Sequence, residues 1–244
     1  MEKRIRIGAV SYLNTLPLLY GLGISGLMKH VELVSDYPVK IARSLVNDEI
    51  DLGLVPIAVI PQLAESHIIT DYCIGAEGEV ASVAIFSEVP MQEIDTILLD
   101  YQSRTSVNLA KILVKDYWKQ PVQWKDAGID FISEIKGKTA AVVIGDRALA
   151  LRPKKQFIYD LANAWKAHTG LPFVFAAWVA NKPLAPAFID AFNRATGYGV
   201  KHIDEVLKTV DYAHYDLKYY FTQNISYELT EEKRKGLDLF LSKL

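Results

Sequence analysis

The chain has 244 residues, which at roughly 150 residues per domain indicates one large domain or two small ones. Half of the residues are hydrophobic and 23% are charged, a balance that excludes a disordered or fibrous chain. With 27 basic and 29 acidic residues, the sequence lacks the basic character typical of nucleic-acid-binding domains. We therefore expect a globular protein that does not bind nucleic acid.

One long uncharged stretch, from Ile7 to Met28, matches a bilayer span in length. Polar residues, a proline and four glycines interrupt it, so we expect neither membrane association nor a signal peptide, and a location in the cytoplasm. The single cysteine, Cys73, has no partner for an internal disulfide and is expected to be buried and inert.

Strands and helices alternate along the first sixty residues. Proline opens each of the two helices, at Pro17 and Pro38, and glycines at positions 21, 23 and 26 are expected to end the first one. Such alternation predicts a parallel α/β sheet. Its predicted strands are Arg4–Val10, Val31–Val34 and Ile50–Pro56.

A second series of strands and helices follows, and the chain ends in a helical tail. The predicted strands are Ser82–Phe86, Ile97–Leu99, Ala140–Ile144 and Phe173–Ala180. The predicted helices are Thr105–Trp118, Asp160–His168, Pro186–Thr196, Val200–Val210, Asp216–Phe221 and Thr230–Leu244, the last with Thr230 as its N-cap.

The doubled pattern predicts a two-lobed α/β fold in which the second lobe, residues 85–180, is inserted into the first, residues 1–84 and 181–244. The charge-free strands Ser82–Phe86 and Phe173–Ala180 are expected to make the crossings between lobes. In such sheets ligands bind at the carboxyl ends of the strands. We therefore expect a ligand cleft between the lobes.

The segment from Asp100 to Ser106 joins a predicted strand to a predicted helix. Hydroxyl groups and free backbone N–H groups at a helix start favour an anion, and an arginine adds a fork suited to a carboxylate. The alternative is that the first serine only caps the helix and the arginine is solvated. The candidate residues are Ser103, Arg104, Thr105 and Ser106.

The turn after the first strand is a second candidate. Asn14 offers a donor and an acceptor, and Ser11 and Thr15 add hydroxyl groups, although a turn with capping residues has the same composition. Ser82 is a weaker candidate where the chain crosses between lobes. Gly145-Asp146 ends a buried strand, where an active-site carboxylate and a helix N-cap are equally compatible with the spacing. The tyrosines near the C-terminus are expected in the core.

Metal and cofactor chemistry are not expected. The five histidines show no two at metal-ligand spacing, and there is no second cysteine. No glycine-rich phosphate loop follows a strand, and no nucleophile elbow is present.

Several segments together resemble the chorismate dehydratase family of the futalosine route to menaquinone. The resemblance covers essentially the whole chain in order, and it implies the two-lobed fold of periplasmic solute-binding proteins, type 2. The segments are Gly8–Leu18, Asp51–Pro56, Ser103–Ser106, Ile144–Leu149 and Trp165–Trp178.

The resemblance implies that chorismate loses water to give 3-(1-carboxyvinyloxy)benzoate, a reaction driven by aromatisation. The candidate loops offer no obvious base, so Asn14 is expected to orient the leaving hydroxyl while the enolpyruvyl carboxylate of the substrate takes the proton. The residues expected to bind substrate are Ser11, Tyr12, Thr15, Ser82, Ser103, Arg104, Thr105, Ser106, Gly145 and Asp146.

Three alternatives remain. A non-catalytic solute-binding protein for a small organic anion shares the fold but works outside the cytoplasmic membrane. A sister family that performs the dihydroxynaphthoate step carries a different N-terminal turn and a histidine where this chain has Gly145-Asp146-Arg147. A ligand-sensing regulatory lobe lacks the helix-turn-helix it would need. The sequence predicts no particular oligomeric state.

Overall fold

The structure, a computed structural model that describes residues 4–244, consists of two β-sheets flanked by helices. The strands are β1 (Ile5–Val10), β2 (Val31–Asp36), β3 (Leu52–Pro56), β4 (His67–Ala76), β5 (Val83–Ser87), β6 (Thr96–Leu99), β7 (Gln123–Asp126), β8 (Thr139–Ile144), β9 (Phe157–Asp160), β10 (Phe173–Ala180) and β11 (Ser226–Glu228). The helices are α1 (Leu16–Ile24), α2 (Pro38–Val46), α3 (Thr105–Leu113), α4 (Asp146–Leu151), α5 (Leu161–Thr169), α6 (Pro186–Lys201), α7 (Ile203–Leu207), α8 (Leu217–Tyr219) and α9 (Glu231–Leu241).

The first sheet has the strand order β11-β4-β10-β3-β1-β2. Strand β1 runs parallel to both β2 and β3, with Ile7 opposite Leu33 on one side and Leu52 on the other. This arrangement confirms the parallel α/β unit predicted for the first sixty residues. Strands β10 and β11 are antiparallel to β4, so the whole sheet is mixed.

The second sheet has the order β7-β6-β8-β5-β9 and is built from a continuous stretch of chain. Strand β6 is parallel to β7 and β8, whereas β5 is antiparallel to β8 and β9. Two separate mixed sheets, each covered by helices, confirm the predicted two-lobed α/β fold.

One strand pairs differently from the prediction. Phe173–Ala180 falls within the range expected for the second lobe, yet β10 pairs with β3 and β4 in the first sheet, with Ala177 opposite Val55 and Cys73. Its freedom from charge is explained by this position, because every residue of a strand between two neighbours and under helices is buried. The boundary of the inserted lobe at residue 180 is corrected accordingly; the remaining lobe boundaries stay predictions.

Asp160 joins the two segments that cross between the sheets. Its buried carboxylate accepts N–H groups from Val80 at 3.2 Å and Ala81 at 2.8 Å in the first crossing. It also accepts those of Ala162 and Asn163, at 3.1 and 3.0 Å, and so caps α5. Burial raises the pKa of Asp160 to about 6 despite these N–H groups. One side chain thus fixes both ends of the inserted stretch.

Helix α1 continues through Gly21 and Gly23, two of the three glycines that were expected to end it, and stops before the third, Gly26, which has φ 78°. A Cβ at Gly21 would overlap the carbonyl oxygen of Ala195, and a Cβ at Gly199 would overlap that of Pro17. These glycines therefore permit backbone-to-backbone contact between α1 and α6. Helix α6 likewise includes glycines, Gly197 and Gly199, and it continues past Thr196, its predicted end, to Lys201.

The tail is helical in pieces, as predicted, with shifted boundaries. A break at His202 separates α6 from the short α7, and α8 continues into a π-helical turn, Tyr220–Asn224. Thr230 caps α9 by accepting the N–H of Lys233 at 3.3 Å, which confirms the predicted N-cap.

Cys73 is buried, as predicted. Within residues 4–244 no helix has both the length and the apolar character needed to cross a bilayer.

Candidate active site

A cavity of about 60 Å³ lies where the two sheets face one another. Residues of both lobes meet around this cavity, which is partly open to solvent. Apolar side chains from both sheets, such as Ile74, Ile144 and Phe175, form much of its wall. The predicted site residues that line it are Tyr12, Asn14, Ser82, Ser103, Thr105, Ser106 and Gly145.

The turn after β1 places Asn14 in the cavity. The turn is a single 3-10 turn, and α1 begins directly behind it with Pro17 in its first turn. Asn14 is buried, and its backbone oxygen accepts the hydroxyl of Tyr227 at 3.0 Å. Thr15 is buried behind the turn and Ser11 is exposed at the strand end, so neither of these predicted residues lines the cavity.

Tyr12 connects the two lobes. Its hydroxyl donates to Oε1 of Gln102 at 2.5 Å, and the same oxygen accepts Nη2 of Arg147 at 2.8 Å. Arg147 is fixed in turn by the buried carboxylate of Asp100 at 2.7 Å and by the faces of two aromatic rings. Burial, with the charge of Asp100, raises the pKa of Tyr12, so the phenol stays protonated and acts as a donor.

Hydroxyl groups from the start of α3 form the wall on the second lobe. The N–H of Ser106 donates to Oγ of Ser103 at 3.0 Å, which is the capping contact that the sequence allowed as an alternative. Thr105 accepts the N–H of Ala58 at 3.2 Å and so adds a second contact between lobes. All three hydroxyl-bearing residues are buried and line the cavity, so capping and lining occur together.

Arg104 lies outside the cavity, and the expectation that its guanidinium faces the cleft is corrected. It is the residue before the first turn of α3, and its exposed side chain borders a separate surface groove together with Tyr101, Lys111 and Asp126. The flanking side chains of Ser103 and Thr105 occupy the inward positions. Arg147 also does not line the cavity, and its guanidinium donates to the carboxylate of Asp100. Among residues 4–244 no lysine, arginine or histidine lines the cavity.

The loop after β8 brings Gly145 against Tyr12. Gly145 has φ 67° and ψ −150°, a conformation open essentially to glycine alone, and its N–H donates to the carbonyl of Ser82 at 2.8 Å. The next residue, Asp146, opens α4 and accepts the N–H of Leu13 from the other lobe at 3.1 Å. Burial raises the pKa of Asp146, although the N–H of Leu13 and the charge of Arg147 act in the opposite direction. Asp146 does not line the cavity.

The sequence did not identify the tyrosines that support the site. Tyr227 holds the Asn14 turn, and Tyr220 is fully buried with its hydroxyl beside the side chains of Ser82 and Asn14. Both lie within the C-terminal tail, where aromatic residues are more often core, and no local motif distinguishes them. In the described part of the chain no group of three or more His, Cys, Asp or Glu side chains is placed to hold a metal ion.

A family model described as menaquinone biosynthesis matches residues 5–244. A chorismate dehydratase of Thermus thermophilus is 27% identical, and the match covers 98% of this chain and 94% of that protein. A chorismate dehydratase of Campylobacter jejuni is 28% identical over 96% of this chain and 95% of that protein.

The fold has solved counterparts. A Candida albicans protein with the generic periplasmic binding protein fold superposes with a TM-score of 0.62 at 13% identity, covering 98% of this chain and 90% of that one. That likeness concerns the fold alone and confirms the predicted periplasmic-binding-protein-like architecture. The family match likewise confirms the resemblance found in the sequence: the chain belongs to the menaquinone biosynthesis family.

Proposed function

We propose that this protein is a chorismate dehydratase that converts chorismate to 3-(1-carboxyvinyloxy)benzoate and water in menaquinone biosynthesis. The observation that carries the proposal is the convergence of polar side chains from both lobes in one cavity, namely Asn14, Ser82, Ser103, Thr105 and Ser106. The family match and the two relatives named chorismate dehydratase support it. We also propose a cytoplasmic location, as expected of a biosynthetic enzyme of this kind.

Neutral donors hold the substrate. Chorismate carries two carboxylates, and the cavity offers hydroxyl groups and an amide from both lobes. Such groups stabilise an anion without an opposite charge when they are preorganised and shielded from water. We assign one carboxylate to Ser103, Thr105 and Ser106 on the second lobe.

The enzyme supplies no base. The lining hydroxyl and amide groups have ordinary pKa values far from neutrality, and the pKa of Tyr12 is raised further. Asp146 has a raised pKa, but its carboxylate is turned toward the N–H of Leu13 and does not border the cavity. We therefore assign proton removal to the enolpyruvyl carboxylate of the substrate itself, held close by lobe closure. Asn14 orients the hydroxyl that leaves.

Incubation of the purified protein with chorismate tests the proposal. We expect the ultraviolet spectrum of a substituted benzoate to develop, with multiple turnovers per protein molecule and no added metal or cofactor. A non-catalytic solute-binding protein would bind chorismate, visible as a rise in melting temperature, and leave it unchanged. Unchanged chorismate with stoichiometric protein would contradict the proposal.

A further inference from the structure

Two hydroxyl groups beside the cavity have no protein partner. The side chains of Tyr220 and Ser82 are both fully buried, and neither oxygen has a hydrogen-bond partner within residues 4–244. Buried polar groups are nearly always paired, so each such exception calls for an explanation. Here the two exceptions lie next to one another.

The chain holds Tyr220 rigidly. Its ring packs edge-on against Tyr215 and tilted against Phe221, with centroid distances of 6.1 and 5.6 Å. Tyr220 also begins the π-helical turn, a type of local distortion that is frequent at functional sites. The turn is tied to the first crossing between lobes, because Nδ2 of Asn224 donates to the carbonyl of Glu79 at 3.1 Å.

Three polar side chains from distant segments meet at this point. Ser82 and Asn14 both line the cavity, and both neighbour the hydroxyl of Tyr220, which does not itself line the cavity. Burial raises the pKa of Tyr220, and the charge of Asp146 adds to the effect. The phenol therefore stays protonated and is a donor to its neighbours rather than a base.

We propose that Tyr220 is a positioning residue for the dehydration: when substrate is bound, its hydroxyl donates to Ser82 or to the amide oxygen of Asn14 and so turns their remaining hydrogens toward the departing oxygen of the substrate. The inference rests on the proposed function. Its role is indirect, since Tyr220 acts through the two side chains that border the cavity. A fixed donor behind them reduces the reorganisation needed when the substrate binds.

The substitution Tyr220→Phe separates this role from a structural one. It removes an oxygen that has no hydrogen-bond partner within residues 4–244, so the melting temperature of the protein without substrate should stay the same or rise. Thr196→Val is the matched control, because Thr196 is another fully buried hydroxyl without a partner and does not line the cavity. Chorismate turnover by the unsubstituted protein is measured first, as the separate test of the proposed function.

We expect Tyr220→Phe to lower kcat about tenfold with little change in KM, and Thr196→Val to leave both unchanged. Equal kcat and KM for Tyr220→Phe and the unsubstituted protein would overturn the role of Tyr220 while the proposed function stands. A fall in melting temperature with kcat retained would also overturn it and make the hydroxyl structural. An unsubstituted protein that leaves chorismate unchanged would overturn the proposed function and, with it, this inference.

Discussion

The ring of Tyr12 lies so close to Gly145 that a Cβ at the glycine would come within 3.0 Å of two ring atoms. Tyr12 belongs to the first lobe and Gly145 to the loop that ends β8 in the second. The absence of one carbon atom thus sets how closely the lobes approach at the cavity.

Gly145→Ala should lower both stability and activity. The backbone conformation of Gly145 costs other residues about 1–3 kcal/mol, and the added methyl group also displaces Tyr12. Gly170→Ala is the control, since Gly170 has φ 77° and open space around it. We expect both variants to melt at lower temperature and only Gly145→Ala to lose kcat/KM. Full activity of Gly145→Ala would show that the close contact is not needed for closure.

Tyr12→Phe should weaken lobe closure. The variant loses the hydrogen bond to Gln102, worth about 0.5–1.5 kcal/mol, which corresponds to a roughly two- to thirteen-fold lower kcat/KM. Tyr20→Phe serves as the control, because the Tyr20 hydroxyl donates to Glu205 away from the cavity. Steady-state kinetics with chorismate measures both variants. Identical kcat/KM for Tyr12→Phe and Tyr20→Phe would be incompatible with this contact acting in closure.

Asp51 should stabilise the fold at neutral pH and lose that effect in acid. Burial alone would raise the pKa of Asp51, but hydrogen bonds from Arg6 and the ammonium of Lys182 hold it well below its usual range. A lowered folded-state pKa gives stability that is present above the unfolded value, about 3.9, and is lost as pH falls further.

Urea unfolding of Asp51→Asn at two pH values tests this effect. At pH 7 we expect a free energy of unfolding about 1–3 kcal/mol below that of the unsubstituted protein, and a smaller difference at pH 3. Asp190→Asn removes an exposed carboxylate that forms no ion pair within residues 4–244, and should change little at either pH. A loss of unfolding free energy in Asp51→Asn that is larger at pH 3 than at pH 7 would contradict the predicted pH dependence.

Arg104→Ala should have little effect on KM, less than about threefold, since the guanidinium lies in the outer groove. Ser103→Ala removes both a lining hydroxyl and the acceptor for the N–H of Ser106, so it should raise KM more. Both Michaelis constants are measured with chorismate. A tenfold higher KM for Arg104→Ala with an unchanged melting temperature would restore the role expected from the sequence.

Local patterns predicted the uncharged strands and the hydroxyl-rich turns, because burial and capping leave direct marks on composition. They did not predict β4, where His67 and Asp71 interrupt the apolar residues of a strand that β-bulges make irregular. The direction in which Arg104 points depends on the residue at which α3 begins, and the position of Tyr220 depends on a π-helical turn. Both are set by tertiary packing, which short motifs do not encode.

The central claim is that the protein positions the substrate and that the substrate removes its own proton. A chorismate analogue with the enolpyruvyl carboxylate converted to an amide tests it most directly, in the same assay as chorismate. The account predicts that the analogue binds, displacing product from the cavity, and yields no benzoate. Dehydration of the analogue at the rate of chorismate would contradict the claim and require a base on the protein.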